Sequence, residues 1–428
     1  MVTILLVVIL LGSITLSIPI GVGLGLATII TMSFTSEIPV IMVTQNAFST
    51  LDSFPLLAIP FFILAGILMY HCGISKRLVD FADSLIGWIS GGLALVTVLA
   101  CMFFAAISGS GPATVSAIGS FMIPEMKEKK YEAGFATAIT AAAGTIGVII
   151  PPSIPFVIYG VIAGVSVGEM FIAGIIPGII IGLGLMIVAY FSAKKNGYGE
   201  QVKVKPTFRR VTKNFKEAIW AIIVPLIVLG GIYGGIFTPT EAAVVAVVYA
   251  LFIGKFIYKE LTMQKIIKSF KDTALINGAA VFPLALSMSF ARYLTMEQIP
   301  VKLAQSLLNI SSSKNILVLV IILFFLIIGC FIDNLSSMIV LTPILLPVMI
   351  KFGIDPIHFG VFMCYALAIG FVTPPYGANL FVASGISGLS VEEISRNIVP
   401  FIAALIFSLL LITYIPGISM FLVNLLFR

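Results

Sequence analysis

The sequence predicts an all-α polytopic membrane protein folded as an inverted repeat, with about ten transmembrane helices and two re-entrant helical hairpins. Three observations carry this expectation. Hydrophobic residues make up 60% of the 428 and charged residues only 10%, too little charge to cover a soluble protein of this size. Apolar segments of roughly membrane-spanning length recur from end to end, without the alternation that barrel strands require. The pair Pro151-Pro152 recurs as Pro374-Pro375, 223 residues later, and the same offset carries Gly147 onto Gly370 and Pro124 onto Pro347.

Apolar spans are read near 2–17, 20–34, 50–70, 134–160 and 170–193, and again near 219–236, 239–255, 273–294, 357–386 and 397–427. Two further apolar stretches, 92–126 and 315–350, are broken by the polar clusters SGSGP (108–112) and DNLSS (333–337). Each half of these is about 15 residues, or roughly 22 Å as helix, against a hydrocarbon core of ~30 Å. Neither half is expected to cross alone, so each stretch is predicted to be a hairpin of two half-helices meeting at a polar tip. Polar breaks are tolerated at membrane depth only where protein or a water-filled cavity surrounds them. Two such breaks, one in each half, point to a central binding site of a transporter.

The domain reading follows: residues 1–193 form the first repeat with hairpin 92–126, 194–218 a basic cytoplasmic linker, and 219–428 the second repeat with hairpin 315–350. The linker reads as a solvated connector or as a helix lying on the inner leaflet. Five crossings per half is an odd number, so the second half enters from the opposite face and both termini lie outside. Predicted inner segments then hold 19 Lys and Arg and outer segments five, as the positive-inside rule requires. The assignment depends on 2–34 being two crossings joined at Ser17-Ile18-Pro19. A single tilted helix there would undo both the parity and the inversion.

Other classes find little support. Met1-Val2-Thr3 leads directly into apolar sequence, without the basic start or cleavage site of a removable signal peptide. Cys72, Cys101, Cys330 and Cys364 are scattered without CxxC spacing, and His71 and His358 stand far apart; neither disulfide nor zinc chemistry is expected. The net charge of +6 sits in short loops, where topology explains it better than a nucleic-acid partner. No HExxH, GxSxG or paired-carboxylate cluster is present, so neither an enzyme nor a cofactor is expected.

Within the breaks, Ser108-Gly109-Ser110-Gly111-Pro112 combines permissive glycines with hydroxyl oxygens, and Pro112 suits a helix start with Thr114 just inside it. Exposed carbonyls ending one half-helix hold cations, and N–H groups opening the next hold anions. Close packing through small residues is the plainer alternative. Asp333 lies in an apolar run beside Asn334, Ser336 and Ser337; an aspartate at a helix centre costs ~2.5–3.5 kcal/mol on insertion scales and is functional by default. The segments GTIGVIIPPS and GFVTPPYGAN are predicted unwound helices facing the tips. A proline frees the carbonyl of residue i−4, here Gly147, Val148, Gly370 and Phe371. Hydroxyls of Thr145, Ser153 and Thr373 then complete oxygen cages for a monovalent cation, with Tyr376 and Asn379 adding polarity. Thr114, Thr145, Ser153, Ser337 and Asn379 are the candidate substrate-binding residues. Glu241 in FTPTEAA reads as a helix cap, and Arg292 either recognises a carboxylate or snorkels and pairs with Glu297.

The blocks FPLLAIPFFILAGILM (54–69), SGSGPATVSAIG (108–119), GTIGVIIPPSIPFVIYG (144–160), GGIFTPTEAA (234–243), DNLSSMIVLTPILLP (333–347) and GFVTPPYGANLFVASGIS (370–387) together resemble the large membrane subunit of tripartite ATP-independent periplasmic (TRAP) transporters. The resemblance runs essentially the whole length. It implies a sodium-driven importer of organic acids, such as C4-dicarboxylates or sialic acid, in a bacterial inner membrane, where the outer termini read from parity and charge would be periplasmic. It also implies an elevator mechanism of the ion-transporter superfamily kind, Na⁺ as coupling ion, and two protein partners besides membrane lipid: a small transmembrane subunit and a periplasmic substrate-binding protein. By the same resemblance one sodium site falls at Ser108, Ser110, Gly147, Ile150 and Pro152. The symmetric one uses Asp333, Gly370 and Thr373, with Asn334 and Gly377 nearby. A stand-alone sodium/dicarboxylate symporter of related fold is the alternative; a channel would reveal itself by gradient-independent conductance.

Overall fold

A computed structural model describes residues 2–16, 18, 20–35, 39–198, 207–299, 302, 313–374 and 377–428. The turn at Pro19, the linker segment 199–206 and, in the second double proline, Pro375 and Tyr376 lie outside the described residues. All regular elements among those described are helical.

The chain opens with α1 (Val2–Thr15) and α2 (Ile20–Thr35). Gly23 of α2 lies against Leu10 and Ser13 of α1, and Val2 joins Met32 in one apolar cluster. The two helices are therefore antiparallel, and 2–34 is two elements rather than one. Next come α3 (Ile41–Leu51), α4 (Ala58–His71) and α5 (Ile74–Ile86). Neither α3 nor α5 is expected from hydropathy, because each mixes polar with apolar positions. In α5 the apolar face of Leu78, Val79, Phe81 and Ala82 is buried.

The stretch 92–126 forms α6 (Gly92–Ser108) and α7 (Gly111–Glu128), packed on each other. Gly91, at φ +73°, abuts Ala193 near the end of α10 (Val167–Lys195). Just beyond α7, the ring of Tyr131 lies 5.0 Å from that of Tyr198, which follows α10. Both ends of this pair thus return to one end of the bundle, so 92–126 folds back as a helical hairpin. The span 134–160 is broken as predicted, into α8 (Ala133–Gly144), a tight turn at Thr145–Val148 and α9 (Ile154–Ala163).

After α10, the linker is shorter than the sequence implies: α11 (Phe208–Tyr233) already begins inside 194–218. Arg210 pairs with Asp83 at 2.6 Å, anchoring its first turn to α5. In α12 (Pro239–Phe252), Thr238 and Glu241 form a reciprocal capping box, as the sequence indicates for Glu241. α13 (Met263–Met296) is 34 residues long and begins within a region that reads as a loop.

The second broken stretch gives α14 (Lys314–Gly329) and α15 (Asn334–Lys351). At 18 residues α15 is long and apolar enough to span, contrary to the expectation that no half could. The pair folds back as a hairpin, since Lys314 Nζ donates to the Gly353 carbonyl at 3.0 Å and so joins its two ends. Then follow α16 (Pro356–Ile369), a turn at Gly370–Val372 and α17 (Ala378–Ser387). The predicted span 397–427 divides into α18 (Val391–Tyr414) and α19 (Gly417–Phe427) around Pro416, which has no N–H for a continuous helix.

The halves interlock. The second helix of the first hairpin, α7, packs on α17, while its counterpart α15 packs on α9. The termini share one end of the bundle: Arg428 reaches Asp355 at 2.7 Å and Glu169 at 3.7 Å, and Val2 sits in the cluster around Tyr293. The opposite end is laced by Arg77–Glu260 at 2.6 Å and by Lys265 Nζ on the His71 carbonyl.

Candidate functional site: two polar hairpin tips

At the first tip, Gly109 ends α6 at φ +62°, and its carbonyl accepts the Ile154 N–H at 3.2 Å. The hairpin is thereby stitched to the start of α9. Ser108 Oγ lies 2.9 Å from Thr114 Oγ1, which donates to the Ser110 carbonyl at 2.8 Å. Gly147 faces the same groups: a Cβ built on it would fall 2.6 Å from both the Ser110 carbonyl and Thr114 Oγ1. Ser108, Ser110, Thr114 and Gly147 are thus gathered into one small oxygen-rich spot. Pro152 adjoins it through its carbonyl, next to Gly109. Ile150 turns its side chain away onto Gly178.

The second tip is built differently. Asp333 caps α15, its Oδ2 accepting from the N–H groups of Leu335 (3.0 Å) and Ser336 (3.4 Å). Asn334 donates to the Cys364 carbonyl at 3.3 Å. Gly370 touches Gly329 backbone to backbone, and Gly377 adopts φ +27° beside Leu380 and the Phe371 carbonyl. Asp333, Asn334 and Gly370 therefore surround this tip.

Several predicted oxygen ligands are already engaged. Thr145 Oγ1 donates to the Ala142 carbonyl (2.7 Å), Thr373 Oγ1 to Ile369 (2.8 Å) and Ser153 Oγ to Val148. Two carbonyls expected to be freed by proline also have partners: Val148 accepts from Ser153, and Gly370 accepts from the Thr373 N–H at 3.2 Å. A hydroxyl that donates keeps its lone pairs, so Thr145, Thr373 and Ser153 retain acceptor capacity but not free orientation.

Near the two tips, Asn334 Oδ1, Ser337 Oγ and Asn379 Oδ1 are among the buried atoms without a partner, in residues 1%, 2% and 0% exposed. Buried polar groups are nearly always satisfied, so each demands a ligand or a changed arrangement. Asn379 also bridges the halves, donating to the Ala141 carbonyl at 3.0 Å while its Oδ1 faces Gly111 of the first tip. These donors are all oxygen, suited to a hard cation rather than a soft metal. Among the described residues no group of three His, Cys, Asp or Glu side chains converges.

Beside the first tip opens a cavity of about 400 Å³, where Ser108 and Ser110 face Gly66 and Ile67 of α4 and Leu275 of α13. Tyr70, His71, Lys268 and Asp272 line it too. None of these four stands out in the sequence. Lys268 and Asp272 lie four apart on one helical face, a signal hidden when 255–271 is read as loop.

Two helical hairpins and two broken helices within a multi-pass helical bundle are the architecture of a membrane transport permease. The family model of the tripartite ATP-independent periplasmic transporter, DctM component, matches residues 6–418, and the chain belongs to this family. It is 47% identical over 408 residues to the isethionate TRAP transporter permease protein DctMQ of Oleidesulfovibrio alaskensis. That match covers 94% of this chain and 64% of the relative, so the chain spans under two thirds of that protein. It is 40% identical to the C4-dicarboxylate TRAP transporter large permease protein DctM of Pseudomonas aeruginosa, covering 94% of each. The sialic acid TRAP transporter large permease protein SiaM of Vibrio cholerae is 38% identical, with 96% of each covered. Among solved structures, the YdaH transporter of Alcanivorax borkumensis superposes with a TM-score of 0.58 at 14% identity, over 87% of this chain and 88% of that one. That likeness shows the fold alone.

Proposed function

We propose that this chain is the large transmembrane subunit of a sodium-driven importer of a small organic anion, working by an elevator movement of the hairpins against the remaining helices. The observation that carries the reading is the set of unpartnered buried oxygens, Asn334 Oδ1, Ser337 Oγ and Asn379 Oδ1, set around the two tips. A sodium ion at the second tip would satisfy Asn334 Oδ1, bound substrate would satisfy Ser337 Oγ and Asn379 Oδ1, and the ions would offset the charge of an anionic substrate. One ion is assigned to Ser108, Ser110, Gly147, Ile150 and Pro152, the other to Asp333, Asn334, Gly370, Thr373 and Gly377. The substrate is assigned to the region between the tips, reached from the cavity beside Ser108 and Ser110, with Thr114, Thr145, Ser153, Ser337 and Asn379 as its polar groups. Of these, Thr145 and Ser153 act through the helix breaks they brace.

Relatives named for isethionate, C4-dicarboxylates and sialic acid share a small organic acid as cargo, and that class is proposed here. The partners proposed are a small transmembrane subunit and a periplasmic binding protein. The location is the bacterial inner membrane, with the end that holds residues 2 and 428 facing the periplasm.

The test is uptake in proteoliposomes containing this chain, its small subunit and the soluble binding protein. Accumulation of labelled succinate, isethionate or N-acetylneuraminate should require an inward sodium gradient and the binding protein. Full uptake without sodium would remove the coupling ion. Full uptake by the chain alone would favour a stand-alone symporter.

A further inference from the structure

A second cavity, of about 260 Å³, lies at the far end of α13 from the one just described. One wall is Asn46 and Thr50 of α3 with Arg292 and Thr295 of α13; the facing wall is Ile162 of α9 and Pro343 of α15. The cavity thus sits between the helices around α13 and the elements that continue from both hairpin systems. Arg292 follows Lys268 by 24 positions in the same helix, roughly 36 Å along its axis.

The lining has the chemistry of an anion site. It holds one guanidinium, one side-chain amide, the hydroxyl residues Ser49, Thr50 and Thr295, and no Asp or Glu. The pairing of Arg292 with Glu297 anticipated from sequence does not form; Arg292 Nη1 instead donates to Asn46 Oδ1 at 3.2 Å. That bond leaves most of the five guanidinium donors for another acceptor. Asn46 Nδ2 is buried and has no partner. An unpaired amide donor beside a cation, in a cavity without carboxylates, calls for an oxyanion accepting from both. Arg292 itself is exposed, so an oxyanion here would replace water on its free donors.

We propose that Arg292 and Asn46 form an anion-binding station at this mouth, separate from the hairpin tips, where a carboxylate or sulfonate is held before it reaches them. The proposal rests on the transporter reading for its purpose but not for its chemistry. Packing of α3 on α13 brings together two residues 246 positions apart, which is why no local motif announces the site.

Two measurements test it. In the reconstituted three-component system, Arg292→Gln should raise KM for uptake about tenfold, as loss of one charge-assisted contact predicts, with kcat within about twofold; Arg292→Lys should recover part of the loss. Independently of transport, Ser49→Cys in a Cys330→Ala background should react with a membrane-impermeant maleimide. Millimolar succinate or isethionate should slow that reaction several-fold without binding protein present, and Arg292→Gln should abolish the protection. Equal labelling with and without both acids, or an unchanged KM in Arg292→Gln, would overturn the station. Absence of any sodium-driven uptake by the wild type would instead overturn the transporter reading, and the labelling result would still decide the anion site.

Discussion

The two hairpins share a repeat frame yet hold their tips by different means. The first has no charge at its tip: Gly109 is tied to Ile154 by a backbone bond, and the oxygens of Ser108, Ser110 and Thr114 press together against Gly147. The second uses a carboxylate cap, and α14 leans chiefly on α16 rather than on its own partner α15. The equivalent glycines also face opposite arms of their hairpins. Gly147 meets Ser110, at the entry to the second half-helix, whereas Gly370 meets Gly329, at the end of the first. Local rules set where a hairpin turns. The neighbours it meets set how rigidly the tip is held.

The largest effect is expected at Gly370. A Cβ there would overlap the Gly329 carbonyl oxygen, and backbone has no rotamer by which to yield. Gly370→Ala should cost about 1–3 kcal/mol, lower the melting temperature of the purified protein and cut uptake more than tenfold. Wild-type stability and uptake in this variant would mean that the two backbones need not be close. Gly147→Ala should do less, since one of its two contacts at 2.6 Å is the Thr114 hydroxyl, which can turn. If it proves worse than Gly370→Ala, the first tip is the more rigid one and the comparison reverses.

Asp333 separates capping from charge. Asparagine caps as well as aspartate, so Asp333→Asn should keep thermal stability while weakening the sodium dependence of uptake. Asp333→Ala should lose both, with about 1 kcal/mol of stability gone. An unchanged sodium response in both variants would confine Asp333 to capping α15. The smallest effect belongs to Gly184 in α10, where nothing lies within 4 Å of a built Cβ. Gly184→Ala should leave uptake intact and change stability by no more than about 1 kcal/mol, in the favourable direction.

The breaks are legible in sequence because glycine, proline and clustered hydroxyls seldom interrupt an apolar run unless the helix itself is interrupted. That places both tips and both broken helices. Amphipathic elements are not legible in the same way: α5, the start of α11 and the first turns of α13 carry the Lys and Arg that make them resemble loops. Nor can sequence tell which hydroxyls are engaged within their own turn, as at Thr145, Ser153 and Thr373. Ile150 earns its place by position in a motif, but its side chain follows the space beside Gly178. Arg292 is ambiguous in sequence; only the packing of α3 decides its partner.

The exchange of partners between halves has a consequence for assembly. Because α7 rests on α17 and α15 rests on α9, neither duplicate can complete its own pocket wall in isolation. Severing the polypeptide between α10 and α11 and co-producing both fragments should restore function by complementation, while either fragment alone would be left with uncovered surfaces where its sibling belongs. The two halves of the chain are thus mutually dependent.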